Sequence, residues 1–151
     1  MSGVAIRNKF FEVKNDLIKI VGDGPMYDQQ ITKICRDLFG REYIGTFSQD
    51  KIPVSKKGFC IINTDTSKQD GTHWVALVFR GNKCYVYDTF GRNVEKLLPI
   101  LRKKLENHRI IEIATDPHPE QYGKTNICGQ LCIAFLFCVR KYDIERVVKI
   151  I

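Results

Sequence analysis

The chain has 151 residues, enough for one compact domain with a sizeable core. Its apolar content of 44 % is ordinary for a globular protein, and its formal charge is +7. No apolar run reaches the length of a bilayer span, since the longest, Leu131 to Val139, is cut off by Arg140 and Lys141, and Met1 to Asn8 lacks the pattern of a secretory signal, so neither a membrane location nor secretion is expected.

In chain order, Phe10, Val13, Leu17, Ile20 and Val21 predict a helix over Lys9 to Val21, ended by Gly22-Asp23-Gly24-Pro25. A second helix is predicted over Gln29 to Phe39, with Ile31, Ile34, Cys35 and Leu38 inward and Gly40 as its stop. Arg41 to Lys57 reads as an irregular polar connection. Strands follow at Phe59 to Asn63, His73 to Phe79 and Cys84 to Tyr87, with a turn-rich loop over Asp65 to Gly71 and a tight hairpin at Gly81-Asn82. Val94, Leu97, Leu98, Leu101 and Leu105 form a helical stripe, which Pro99 must kink or begin. Ile110 to Ala114 reads as a buried strand and Thr115 to Asn126 as a polar loop. Cys128 to Val139 is apolar nearly all round, the pattern of a buried central helix, and a last helix covers Asp143 to Ile151. The layout is α+β, with helices packed on a central, mostly antiparallel sheet in a single domain over 1–151.

The six cysteines sit mostly inside apolar periodic segments and read as buried free thiols rather than disulfides. Cys128 and Cys132 form the one closely spaced pair, but no histidine follows at finger-like spacing, so no metal site is expected. The charge of +7 suits an acidic partner, nucleic acid or an acidic protein surface, and equally plain solubility. The modest basic clusters, Lys56-Lys57 and Arg102-Lys103-Lys104, match no nucleic-acid motif.

Cys128 stands between the polar loop and the apolar helix, at a helix N-terminus, where free amides and the dipole favour a thiolate. Gly129 beside it lets backbone or substrate approach closely. His73 starts a strand just after a loop, where an imidazole can reach a cleft and pair with a thiol. Asp88 ends the neighbouring strand, and the Gly81-Asn82 hairpin brings it back to the His73 end to orient the imidazole. Gln121, in the loop before Cys128, could donate its amide to an oxyanion, with the Cys128 N–H as second donor. Trp74 follows His73, and the pleat points it to the other face, where it walls a groove or fills core. Each has a plain alternative: Cys128 as one more small core residue, Asp88 as a turn initiator, Gln121 as an ordinary loop glutamine.

The segments Gly71-Thr72-His73-Trp74-Val75-Ala76, Cys84-Tyr85-Val86-Tyr87-Asp88-Thr89-Phe90-Gly91, Gln121 and Asn126-Ile127-Cys128-Gly129 resemble the adenovirus protease (adenain) family, which is related to the ubiquitin-like-protein deconjugases. Cys60-Ile61-Ile62-Asn63-Thr64 and Gly45-Thr46-Phe47 extend the likeness, which runs from Gly45 to Val139 and is thin before Gly40. The resemblance implies a thiol protease fold with Cys128 as nucleophile, His73 as base, Asp88 as third member and Gln121 in the oxyanion hole. It implies maturation of viral capsid or core precursors by cleavage after glycine, inside the virion or infected cell, with no required cofactor and DNA as an activator. Where that family carries glutamate this chain has Asp88, as deconjugases do. The sequence stops soon after the central helix, so the family's C-terminal extension is not expected. The region matching its activator-linking cysteine, His108 to Ile113, has none, so a disulfide-linked peptide activator is not expected. The alternatives are a deconjugase for a ubiquitin-like modifier and a basic nucleic-acid-binding protein on an inactive protease fold.

Overall fold

The computed structural model describes residues 3–64, 73–89, 98–114 and 126–151. Helices α1 (Gly3–Val21) and α2 (Asp28–Phe39) precede strands β1 (Tyr43–Ser48), β2 (Lys57–Asn63), β3 (Trp74–Arg80) and β4 (Lys83–Tyr87). Helix α3 (Pro99–Asn107), strand β5 (Ile111–Ala114), helix α4 (Cys128–Lys141) and helix α5 (Ile144–Ile150) complete the described chain. Helix α1 begins earlier than the periodicity suggested because Ile6, fully buried, extends its apolar stripe toward the N-terminus. In α2 the buried positions are Ile31, Cys35 and Phe39, a strict four-residue step, and Leu38 turns to solvent instead of inward. Pro99 occupies the first turn of α3, where its missing N–H costs nothing, rather than kinking the helix.

The five strands lie in the order β1-β2-β3-β4-β5. The sheet is mixed, not mostly antiparallel: β2-β3 and β3-β4 are antiparallel, whereas both outer pairs, β1-β2 and β4-β5, are parallel. Parallel neighbours need crossover connections, and α3 lies within the one between β4 and β5. Strand β1 falls where an irregular connection was expected. It is a short edge strand whose register slips between Tyr43 and Gly45, and the slip hides its alternation. Gly45 has φ +152°, and a Cβ there would come within 2.8 Å of the Phe47 ring, so the bulge requires glycine.

The central strands read as apolar runs because both of their faces are covered. Phe59 and Ile61 of β2, Ala76 and Val78 of β3 and Tyr85 and Tyr87 of β4 face the layer formed by α1, α2, α4 and α5. Their neighbours Cys60, Ile62, Val75, Leu77, Phe79, Cys84 and Val86 face Leu98, Leu101 and Leu105 on the α3 side. Helix α4 is the axis of the first layer; its Phe135 stacks on Tyr87 with ring centroids 4.5 Å apart at 14°. All six cysteines are free and buried. No helix is long and apolar enough to cross a membrane among the described residues.

Phe135 is fully buried, so Phe135→Ala leaves a cavity against Tyr87. The expected loss is about 3–5 kcal/mol of folding stability, measured as a lower urea midpoint at unchanged slope.

Candidate active site

Two local rules bring the candidate residues to one end of the sheet. Strands β3 and β4 are joined by the two-residue turn Gly81-Asn82, with Arg80 opposite Lys83 and Ala76 opposite Tyr87. Asp88 therefore leaves β4 at the end where β3 begins, beside His73. The His73 backbone is pinned as well: its carbonyl accepts from the Thr64 N–H at 3.0 Å, one step beyond the Asn63-Trp74 pair. The Gln49 side-chain amide in turn donates to the Thr64 carbonyl. Cys128 is the first residue of α4, whose early N–H groups have no intrahelical acceptor. The Cys132 thiol, one turn on, donates to the Trp74 carbonyl at 3.4 Å and ties α4 to the start of β3.

His73 Nε2 lies 2.5 Å from Asp88 Oδ1, with side-chain exposures of 9 % and 2 %. That bond occupies Nε2 and leaves Nδ1 as the ring nitrogen open to a thiol, and Cys128 is the second group that acts on the imidazole. Cys128 is 7 % exposed, so the three groups meet almost out of water. Burial of the imidazole pulls its pKa down, but the hydrogen bonds to Asp88 and Cys128, and their charges, outweigh it and hold His73 above its ordinary 6.5. Burial pushes Cys35 and Cys138 up to about 12 and raises Cys60, Cys84 and Cys132 strongly as well.

The structure thus brings together His73, Asp88 and Cys128. Gln121 lies outside the described residues. Trp74 is half-buried and packs against the helical core, on the face opposite Val75 as the pleat requires. Its indole N–H donates to the Met26 carbonyl at 3.0 Å. Gly129 is buried against Met26, where a Cβ would stand 3.1 Å from the methionine side chain, so its close neighbour is this chain's own α1–α2 loop. Sequence reasoning passed over Gln49, Met26 and Gln130. Gln130 carried a signal, being the one amide in the apolar run from Cys128 to Val139. Met26 and Gln49 carried none, since their contacts are to residues distant in sequence. No group of three or more metal-ligating side chains gathers among the described residues.

The sequence profile of the adenovirus endoprotease family matches residues 39–149, and the chain belongs to that family. It is 29 % identical over 126 residues to a protease of human adenovirus B serotype 3, covering 72 % of this chain and 60 % of that protein. A protease of bovine adenovirus 4 is 27 % identical over 115 residues, 66 % of this chain and 57 % of its own. One from human adenovirus E serotype 4 is 33 % identical over 86 residues, 52 % and 42 %. The chain thus spans little more than half the length of the curated relatives it matches. The matched span contains His73, Asp88 and Cys128 and leaves out α1 and nearly all of α2.

A histidine whose pKa is raised by folding stabilises the native state while it is charged. That contribution is complete below the ordinary value of 6.5 and is lost as pH rises through the higher folded value. The pH-dependent part of the melting-temperature gap between wild type and His73→Ala should therefore be greatest in mild acid and close as pH rises, as read by thermal melts across pH 5 to 9.

Proposed function

We propose that this protein is a cysteine endopeptidase of viral maturation, with Cys128 as nucleophile, His73 as general base, Asp88 as the group that orients it and Gln121 as an oxyanion donor. The observation that carries this reading is the nearly dry His73–Asp88 hydrogen bond, with Cys128 at a helix start acting on the same imidazole. The thiol passes its proton to Nδ1 of His73, and the imidazolium is stabilised by Asp88 through Nε2. The thiolate attacks a peptide carbonyl, whose oxygen becomes negative and takes hydrogen bonds from the Cys128 N–H and Gln121. His73 returns the proton to the leaving amine, and water then hydrolyses the thioester with His73 again as base. The family relationship supports capsid or core precursor proteins as substrates, cleavage after glycine, and action inside the virion or infected cell.

DNA as an activator is part of the same proposal. Lys57, Arg80 and Lys83 stand directly opposite one another across β2, β3 and β4, a repulsive row on one face. Lys56, His108 and Arg109 line an adjoining cavity of about 450 Å³ that also takes in Gly81 and Asn82. The lysines and arginines lie at the opposite end of the sheet from His73 and suit phosphate contacts that salt would weaken.

Cys128→Ala should abolish cleavage of glycine-containing precursor peptides with the fold intact by circular dichroism, and Gln121→Ala should lower kcat by about 10²-fold. Retained turnover in the first variant would remove the mechanism; an unchanged rate in the second would make Gln121 a loop residue. In a separate test, Arg80→Glu with Lys83→Glu should weaken duplex DNA binding and flatten its salt dependence, measured by fluorescence anisotropy at several salt concentrations.

A further inference from the structure

The loop between α1 and α2 contacts both halves of the candidate site. Gln130, fully buried in the first turn of α4, donates through Nε2 to the carbonyls of Gly22 and Gly24, each at 2.9 Å. Trp74, the residue after His73, donates through its indole to the Met26 carbonyl at 3.0 Å. Three alternate carbonyls of one short loop are thus taken by side chains from the two elements that carry the thiol and the imidazole. The Met26 side chain fills the space that glycine leaves open at position 129.

We propose that the Gly22–Met26 loop is a clamp that fixes the separation of Cys128 and His73, with Gln130 and Trp74 as positioning residues for the reaction. This inference rests on the protease reading above.

Stability alone is a weak account of Gln130. Its two hydrogen bonds each give a modest net gain, and its Oε1 is buried with no partner, a cost of the same order as the two together. The two nearly cancel. What the amide does provide is a fixed geometry, because a fork of two N–H donors on one nitrogen accepts only one placement of the Gly22 and Gly24 carbonyls. Apart from the loop, the start of α4 meets the start of β3 among the described residues through the Cys132 thiol bond, a weak donor at 3.4 Å, and through apolar packing, which has no directional preference. A thiol and an imidazole exchange a proton only within hydrogen-bond reach, so a displacement of about an ångström matters to chemistry and little to folding. Asp88, just after β4, and Cys128 of α4 are the groups that act on His73, and Cys132 lies one turn below; the loop carries one charged side chain, Asp23, which is not among the groups that shift His73. The loop precedes residue 39, where the family match begins, so the clamp belongs to the part of the chain that the match leaves out.

The test is the rate of alkylation of Cys128 by iodoacetamide against pH, followed by mass spectrometry on the full-length protein, with kcat, KM and melting temperature on the same samples. Wild type should label at Cys128 with an acid limb below neutral pH, the mark of a thiolate–imidazolium pair. Gln130→Leu and Trp74→Phe should each lower the pH 6 rate and kcat about tenfold or more, with KM changing less. Variants that keep the wild-type profile and kcat, and lose only melting temperature, overturn the clamp and leave the protease reading standing. A wild type without the acid limb removes the protease reading, and the clamp with it. If Gln130→Leu fails to fold, Trp74→Phe decides alone, since it keeps an aromatic ring and drops a single donor.

Discussion

One hydrogen bond, from the His73 imidazole to the Asp88 carboxylate, sets the conditions for everything at this end of the molecule. Both groups are nearly out of solvent, and either left alone there would face the cost of an unpaired buried polar group. Paired, they fix which ring nitrogen carries the proton and which one faces the thiol. The bond is delivered by backbone rather than by chance. The Gly81-Asn82 turn sets the β3–β4 register, and a slip of one residue would carry Asp88 to the other face of the sheet.

That register holds because both faces of the central strands are buried. Each residue of β2, β3 and β4 has a layer to fill, so a slipped pairing would exchange the two cores and misfit both. The Tyr87-Phe135 stack couples the strand that leads into Asp88 to the helix that begins with Cys128. Rigidity from the core therefore reaches the site through both partners of the His73 imidazole. The α1–α2 loop, bonded to Gln130 and Trp74, adds a polar contact where the apolar layer runs out.

The two ends of the sheet differ in kind. One end gathers a thiol, an imidazole and a carboxylate in a nearly dry pocket. The other carries the opposed Lys57, Arg80 and Lys83, exposed or partly so, with the length of a seven-residue strand, roughly 20 Å, between the two ends. The charges that shift His73 are those of Asp88 and Cys128, and these cations are not among them. A polyanion held at the basic end would have to act through the strands rather than through its field.

The helices, the three central strands and the hairpin were legible in the sequence because each rests on local periodicity or turn chemistry. Cys128 at a helix start, with His73 and Asp88 at adjoining strand ends, followed from the same local signals joined by one hairpin. Strand β1 and the two parallel outer pairings were not legible, since an edge strand with a bulge loses its alternation and pairing direction is decided by how the chain crosses over. Gln130 was visible only as an amide in an apolar run. Its partners, Gly22 and Gly24, lie more than a hundred residues away in the chain. The amino-acid order by itself determined which side chains could do chemistry and which elements carry them. Tertiary structure alone decided what holds those elements at a fixed distance, because hydrogen bonds between remote segments leave no periodic trace in either one.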